Sequence, residues 1–335
     1  MPVQRLFLLG VLCLCLGLPE PLRAAEVLPF HTRNLQPTVQ IFGLPAAEGG
    51  RITPPGKTRG RLVLETANNF TGGRGPGEGL EFDGETYRMI LALRRGLASG
   101  WEAGIDLSLV GHHGGGLDRL IERWHDLLGV GKGGRHRRAR NRLFYFYQKD
   151  GQREIDVREN NLGIGDWSLV LARPLFKDHL APGRALALRS GIKFPTGNPD
   201  RLHGSGSVDM HARLTYSDAE TLKNIHLTLF ASGGILAMTR GEVMPAQQRS
   251  HVWFGSAGLG WKPWQRVALK AQVDGHSAFF RGSSLREIKA PSAQLVLGGS
   301  YYLSERWILD LAVSEDIVVD SAPDVAFHLA LTRHF

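Results

Sequence analysis

The chain has 335 residues, 42 of them glycine, with 42% hydrophobic residues, 21% charged residues and a formal net charge of +8. That balance excludes wholesale disorder, and the length is ample for a large buried interior. Both cysteines, Cys13 and Cys15, fall within the first 15 residues, so the remainder contains no thiol nucleophile, thiolate metal ligand or disulfide.

Arg5 precedes an unbroken stretch of 13 mostly apolar residues, 6–18, followed by small residues at Ala24-Ala25. A helix needs roughly 20 apolar residues to cross a bilayer, so this stretch predicts a secretory signal peptide over 1–25 rather than a membrane anchor. Export removes the chain from DNA, so the basic charge is not read as a nucleic-acid surface. Residues 26–58 carry five of the 17 prolines and predict an extended periplasmic segment or a plug.

From there onward the sequence alternates with a period of two. Trp101, Ala103, Ile105, Leu107 and Leu109 oppose Glu102, Gly104, Asp106 and Ser108. Val267, Leu269, Ala271 and Val273 oppose Ala268, Lys270, Gln272 and Asp274, and Val325, Phe327, Leu329 and Leu331 oppose Ala326, His328, Ala330 and Thr332. Long alternating strands, charges of both signs on the polar face and aromatic residues near strand ends predict an antiparallel transmembrane β-barrel over a soluble periplasmic β protein. Short links near 97–100, 217–222, 262–265 and 304–306 alternate with long Gly-rich links near 71–85, 195–206, 234–249, 277–288 and 316–323. Twelve strands result: 59–70, 86–96, 100–111, 161–173, 183–194, 207–217, 223–234, 250–261, 265–276, 290–303, 306–316 and 324–335. The terminal strand ends on Phe335, a recognition signal for barrel-assembly machinery, although Arg333 departs from the alternation.

The insertion 112–160 predicts an amphipathic helix over 117–129, from the spacing of Leu117, Leu120, Ile121, Trp124, Leu127 and Leu128. A hairpin around Asp150-Gly151 follows it, either extending the barrel wall or capping its mouth. If that hairpin is embedded in the membrane, the strand count becomes 14.

Four blocks of sequence resemble a known family. They are His31-Thr32-Arg33-Asn34-Leu35-Gln36-Pro37 with Phe42-Gly43-Leu44-Pro45; Phe82-Asp83-Gly84-Glu85-Thr86-Tyr87-Arg88; Gly114-Gly115-Gly116-Leu117-Asp118 with Ile121-Glu122 and Trp124-His125; and Lys193-Phe194-Pro195-Thr196-Gly197 with Gly204-Ser205-Gly206-Ser207 and Asp209. The sequence is similar to domain-of-unknown-function family 3187, exported proteins of Gram-negative bacteria. The resemblance implies an outer-membrane location and supplies no activity.

The candidate lumen-lining residues are Arg88, Glu102, Asp106, Arg189, Lys193, Asp209, His211, Arg213, Lys270 and Asp274, with Glu65 and Asp310 on the same faces. Charges of both signs leave two outcomes open, a narrow pore or small-solute or lipid binding barrel, and a structural barrel closed by pairing. Lys132, Arg135, Arg137, Arg138, Arg140 and Arg142 form the densest basic cluster, suited to lipopolysaccharide phosphates and outer-membrane lipid. The glycines between Lys193 and Asp209 could form an anion nest but lack the strand–loop–helix setting of a phosphate loop. No metal or cofactor is expected, because the adjacent His112 and His113 point to opposite faces of a strand. Ser207, Asp209 and His211 are the one tempting hydrolase set, yet positions two apart on a strand lie about 7 Å apart, too far for a nucleophile–base bond. No catalytic residue is assigned.

Overall fold

A computed structural model describes residues 27–115, 142–177, 183–317 and 321–335. The candidate signal segment, the helix expected over 117–129 and all of the basic cluster except Arg142 lie outside the described residues.

Among the described residues, fifteen strands form one antiparallel sheet: β1 (Thr58–Gly75), β2 (Glu78–Gly96), β3 (Glu102–His113), β4 (Phe144–Lys149), β5 (Gln152–Val157), β6 (Asn161–Ile164), β7 (Trp167–Lys177), β8 (Arg184–Phe194), β9 (Asp209–Asp218), β10 (Leu227–Met238), β11 (His251–Trp261), β12 (Val267–His276), β13 (Ser292–Tyr302), β14 (Trp307–Asp316) and β15 (Val325–His334). Twelve of them, all but β4, β5 and β6, pair in a ring. β15 returns to β1 through Arg59↔His334 to Asn68↔Val325, which closes the twelve-strand ring, while β5 and β6 stand at the ends of the strand order. Alternation decides which face is which. On β15 the buried residues include Ala326, His328, Ala330 and Thr332, while Leu329 is exposed. On β12 Lys270, Gln272 and His276 are buried and Leu269 and Val273 are exposed. Polar side chains therefore face inward and apolar ones outward, the inverse of a soluble barrel.

Trp101, Trp261, Trp264, Tyr301 and Phe335 are exposed at the end with the short turns, a position where amphipathic rings suit a membrane–water boundary. Arg333 has a place in this girdle: its guanidinium lies 4.9 Å from the Trp307 ring centroid and 4.3 Å from that of Phe335, so a cation on the outward face is covered by two rings.

Two predicted features are corrected, the loop 71–85 and the unbroken strand 161–173. The Gly-rich stretch 71–85, expected to be a loop, continues β1 and β2 up to the pair Gly75↔Glu78. The continuation is supported because β4 pairs with it from Glu78↔Lys149 to Asp83↔Phe144, and Leu80 and Phe82 on its inner face join an apolar core. The β4–β5 hairpin thus extends the wall above the ring, and the count within the ring is twelve, not 14. Between β6 and β7, residues 165–167 face only Leu107 and Ser108 of β3, a bulge that bends the wall beside Asp166.

The loop end is closed by a cap. Val39, Ile41, Phe42 and Leu44 of the N-terminal segment pack with Phe82 and Tyr145 of the extension and with Leu202, Met244, Phe279 and Phe280 of the long loops. Phe42 stacks on Phe279 with ring centroids 4.8 Å apart.

Candidate functional site

The site is the lumen, and the N-terminal segment fills it. Residues 27–54 belong to no strand, yet nearly all of them are buried. Such a segment has no neighbouring strand to satisfy its backbone, so partners must come from side chains of the wall.

On the ascending side these partners come from β12 in constant register. Lys270 Nζ donates to the Leu28 carbonyl at 3.0 Å, and Gln272 exchanges two bonds with the Phe30 backbone at 2.9 and 3.2 Å. Thr32 Oγ1 donates to Asp274 at 2.6 Å, and Asn34 Nδ2 lies 2.9 Å from His276 Nε2. Every pair is separated by 242 residues, so the segment climbs parallel to β12 one residue for one. Gln36 to Phe42 turn beneath the cap. The descent follows β9: Gly43 N–H donates to Asp209 Oδ2 at 2.7 Å, Arg213 donates to the Ala46 carbonyl, and Gly50 N–H donates to Ser217 Oγ at 2.9 Å. Arg88 donates to the Gln40 carbonyl at 2.9 Å, and Arg189 Nη2 donates to the carbonyls of Gly49 and Arg51 at 3.2 and 2.9 Å. Thr53 N–H donates to Glu102 Oε2 at 2.6 Å.

Several other charges are paired across the interior. Arg189 Nη1 lies 2.5 Å from Glu102, Arg94 lies 2.6 Å from Asp106 and Lys270 lies 2.8 Å from Asp310, while the His328 ring lies within hydrogen-bond distance of Glu65 at 3.2 Å. Arg33 of the segment adds a second contact to Asp106 at 3.4 Å. At this burial each ion needs its partner to offset lost hydration.

The densest network surrounds Lys193, only 3% exposed. Its Nζ lies 2.6 Å from Asp166 Oδ2, 2.5 Å from Ser205 Oγ, 3.1 Å from Asp209 Oδ2 and 3.3 Å from the Ile41 carbonyl. Asp166 in turn accepts from Gly197 N–H at 2.8 Å and Ser205 N–H at 3.2 Å. Gly43 fits here because it lacks a side chain: a Cβ would stand 3.0 Å from Asp209 Cβ and 3.1 Å from Lys193 Cβ. The Lys193–Asp209 block is thus a latch, joining the wall bulge, one long loop and the tip of the segment.

Of the ten candidate lumen residues, nine contact the segment or an oppositely charged wall residue. The tenth, His211, has its Nε2 buried without a hydrogen-bond partner among the described residues, while Ser207 bonds Ser205 and Asp209 at 2.6 and 2.5 Å. No serine–histidine couple forms from that set. Arg142 pairs with Glu81 at 3.0 Å and lies 4.1 Å from the Phe144 ring centroid. Sequence reasoning missed Glu48, Arg59, Arg94, Asp166 and Ser205. Arg94 was within reach, since Arg88, Ile90, Ala92 and Arg94 share a face of β2; Asp166 was not, because the bulge shifts the alternation.

Family 3187, described as a protein of unknown function (DUF3187), matches residues 6–335. The chain belongs to the DUF3187 family. No curated protein matches this DUF3187 member. Among solved structures, it is similar to the COG4313 outer membrane channel from Pseudomonas putida F1, with 12% identity and a TM-score of 0.57 over 85% of this chain and 98% of that one. The likeness shows that the two share a fold. The NanC porin is more distant, with 8% identity and a TM-score of 0.44 over 83% of this chain and 98% of that one.

Proposed function

We propose that this DUF3187 protein is an outer-membrane channel held shut by its own N-terminal segment. In this reading residues 1–25 direct export and are removed, the short turns face the periplasm, and Phe335 presents the last strand to the assembly machinery. The charged lumen residues hold the segment when the channel is closed and line the water path when it is open. No catalytic role is assigned.

One observation carries the reading: the contact between segment and wall is polar along most of its length. A permanently dry interior gains nothing from ion pairs, since replacing a buried pair by packed apolar residues is often neutral or stabilising. A wall that must sometimes be wet needs the opposite, groups that water can solvate when the segment leaves. Lys193, Arg213, Arg189 and Arg88 all donate to backbone carbonyls of the segment, and water can replace those acceptors.

The apolar cap favours a second reading, a structural barrel with a closed lumen, because releasing Phe42 from Phe279 exposes apolar surface. Planar-bilayer recordings separate the two. A gated channel shows rare openings that become frequent in Lys193→Met. A barrel that is silent in both forms, while still folded by heat-dependent gel mobility, refutes the channel.

A further inference from the structure

Residues 27–57 contain a single acid, Glu48, and three cations, Arg33, Arg51 and Lys57. That one carboxylate enters a nest of arginines on the wall. Its Oε2 lies 2.7 Å from Arg59 Nη2 and its Oε1 lies 3.3 Å from Arg94 Nη2, with all three side chains buried. Arg61 and Arg189 are also near enough to act on it electrostatically. Arg94 and Arg189 are shared with the wall acids Asp106 and Glu102, so the inner nest is partly balanced without Glu48.

Arg59 also lines a cavity of about 400 Å³ at the short-turn end. Arg51, Lys57 and Arg306 add positive charge to that cavity, against one acid, Glu305. Ile52, Ile308 and Phe335 give it apolar walls. The size lies within the range of about 300–1,000 Å³ that holds small organic ligands, and guanidinium groups pair bidentately with carboxylates. The two features are continuous through Arg59, which faces the cavity and holds Glu48.

We propose that this cavity, with the arginines behind it, is a binding site for small organic monocarboxylates with apolar bodies, and that Glu48 occupies its inner part as an intramolecular stand-in for the ligand carboxylate. An incoming acid places its apolar body against Ile52 and Ile308 and its carboxylate on Arg306 and Arg59, in competition with Glu48. Displacing Glu48 loosens the segment at its descending limb. The inference deepens the channel reading by naming its solute, and rests on that reading for transport but not for binding.

Calorimetric titration of the full-length protein with benzoate, at fixed ionic strength and beside benzyl alcohol, tests it. Saturable binding of benzoate but not of the alcohol is expected. Glu48→Gln removes the competitor and tightens benzoate about tenfold, whereas Arg306→Gln removes a charge-assisted contact and weakens it by about tenfold. If Glu48→Gln does not assemble, the wild type and Arg306→Gln decide between them. Equal binding of acid and alcohol, or no saturable binding of benzoate, overturns the site. Benzoate binding in a barrel that never conducts overturns the channel and leaves the site standing. Conductance without benzoate binding does the reverse.

Discussion

Replacing Lys193 by methionine keeps an unbranched side chain, one atom shorter, and removes its charge. In the closed state Asp166 and Asp209, 2.6 and 3.1 Å from Nζ, then face each other without a cation, and Ser205 and the Ile41 carbonyl each lose a donor. Breaking a buried ion pair by removing one partner costs ~3–5 kcal/mol. With the segment displaced, water solvates both carboxylates, so the cost falls on the closed state alone. At 1.4 kcal/mol per factor of ten, the displaced population rises by roughly two to three and a half powers of ten. Thr38, buried beneath the cap, reports on this when changed to cysteine in a chain whose only natural cysteines, Cys13 and Cys15, are replaced by serine. Maleimide labelling of Thr38→Cys should accelerate by about 10²-fold or more in Lys193→Met. Adding Asp209→Asn should recover part of the change, because one orphaned charge is removed. Unchanged labelling, with the barrel still folded by gel mobility, refutes the latch.

Three further outcomes follow from the same geometry. Gly43→Val drives branched carbons into Asp209 and Lys193, so it should loosen the segment by ~1–3 kcal/mol, read by the same labelling, while Leu44→Met should not. His203, in the loop beside the latch, is pushed from 6.5 down to about 4 by burial and then by Arg201. Its unfolded form binds more protons between those values, so the cap should lose about 2 kcal/mol as pH falls from about 6.5 towards 4, seen as faster hydrogen exchange over 195–208 and abolished by His203→Gln. Deleting Phe335, whose backbone pairs with Thr58 at 2.8 Å, should lower the amount of assembled barrel without changing the conductance of what assembles; equal surface levels would contradict an assembly role.

Much of the wall was legible because a barrel strand in a membrane has only two environments, and the period of two reports them directly. The Glu102–Leu109 and Val267–Asp274 alternations are seen in the burial of β3 and β12. The stretch 71–85 misled because glycine ordinarily marks a turn, whereas here pairing with β4 supplies the order that side chains do not. The segment inside the lumen follows a different logic. Pro29, Pro37 and Pro45 signal an extended path, but its partners are set by a register across 242 residues that no local pattern encodes. Glu48 likewise reads as an ordinary acid until Arg59 and Arg94 close on it.

The most direct measurement is the planar-bilayer conductance of a protein lacking residues 27–50, recorded beside the full-length chain, with heat-dependent gel mobility to show that both barrels are folded. A lumen vacated by its segment should conduct in steady, long-lived steps, while the full-length protein stays mostly closed. A folded deletion variant that remains silent would contradict the claim that this segment is the gate.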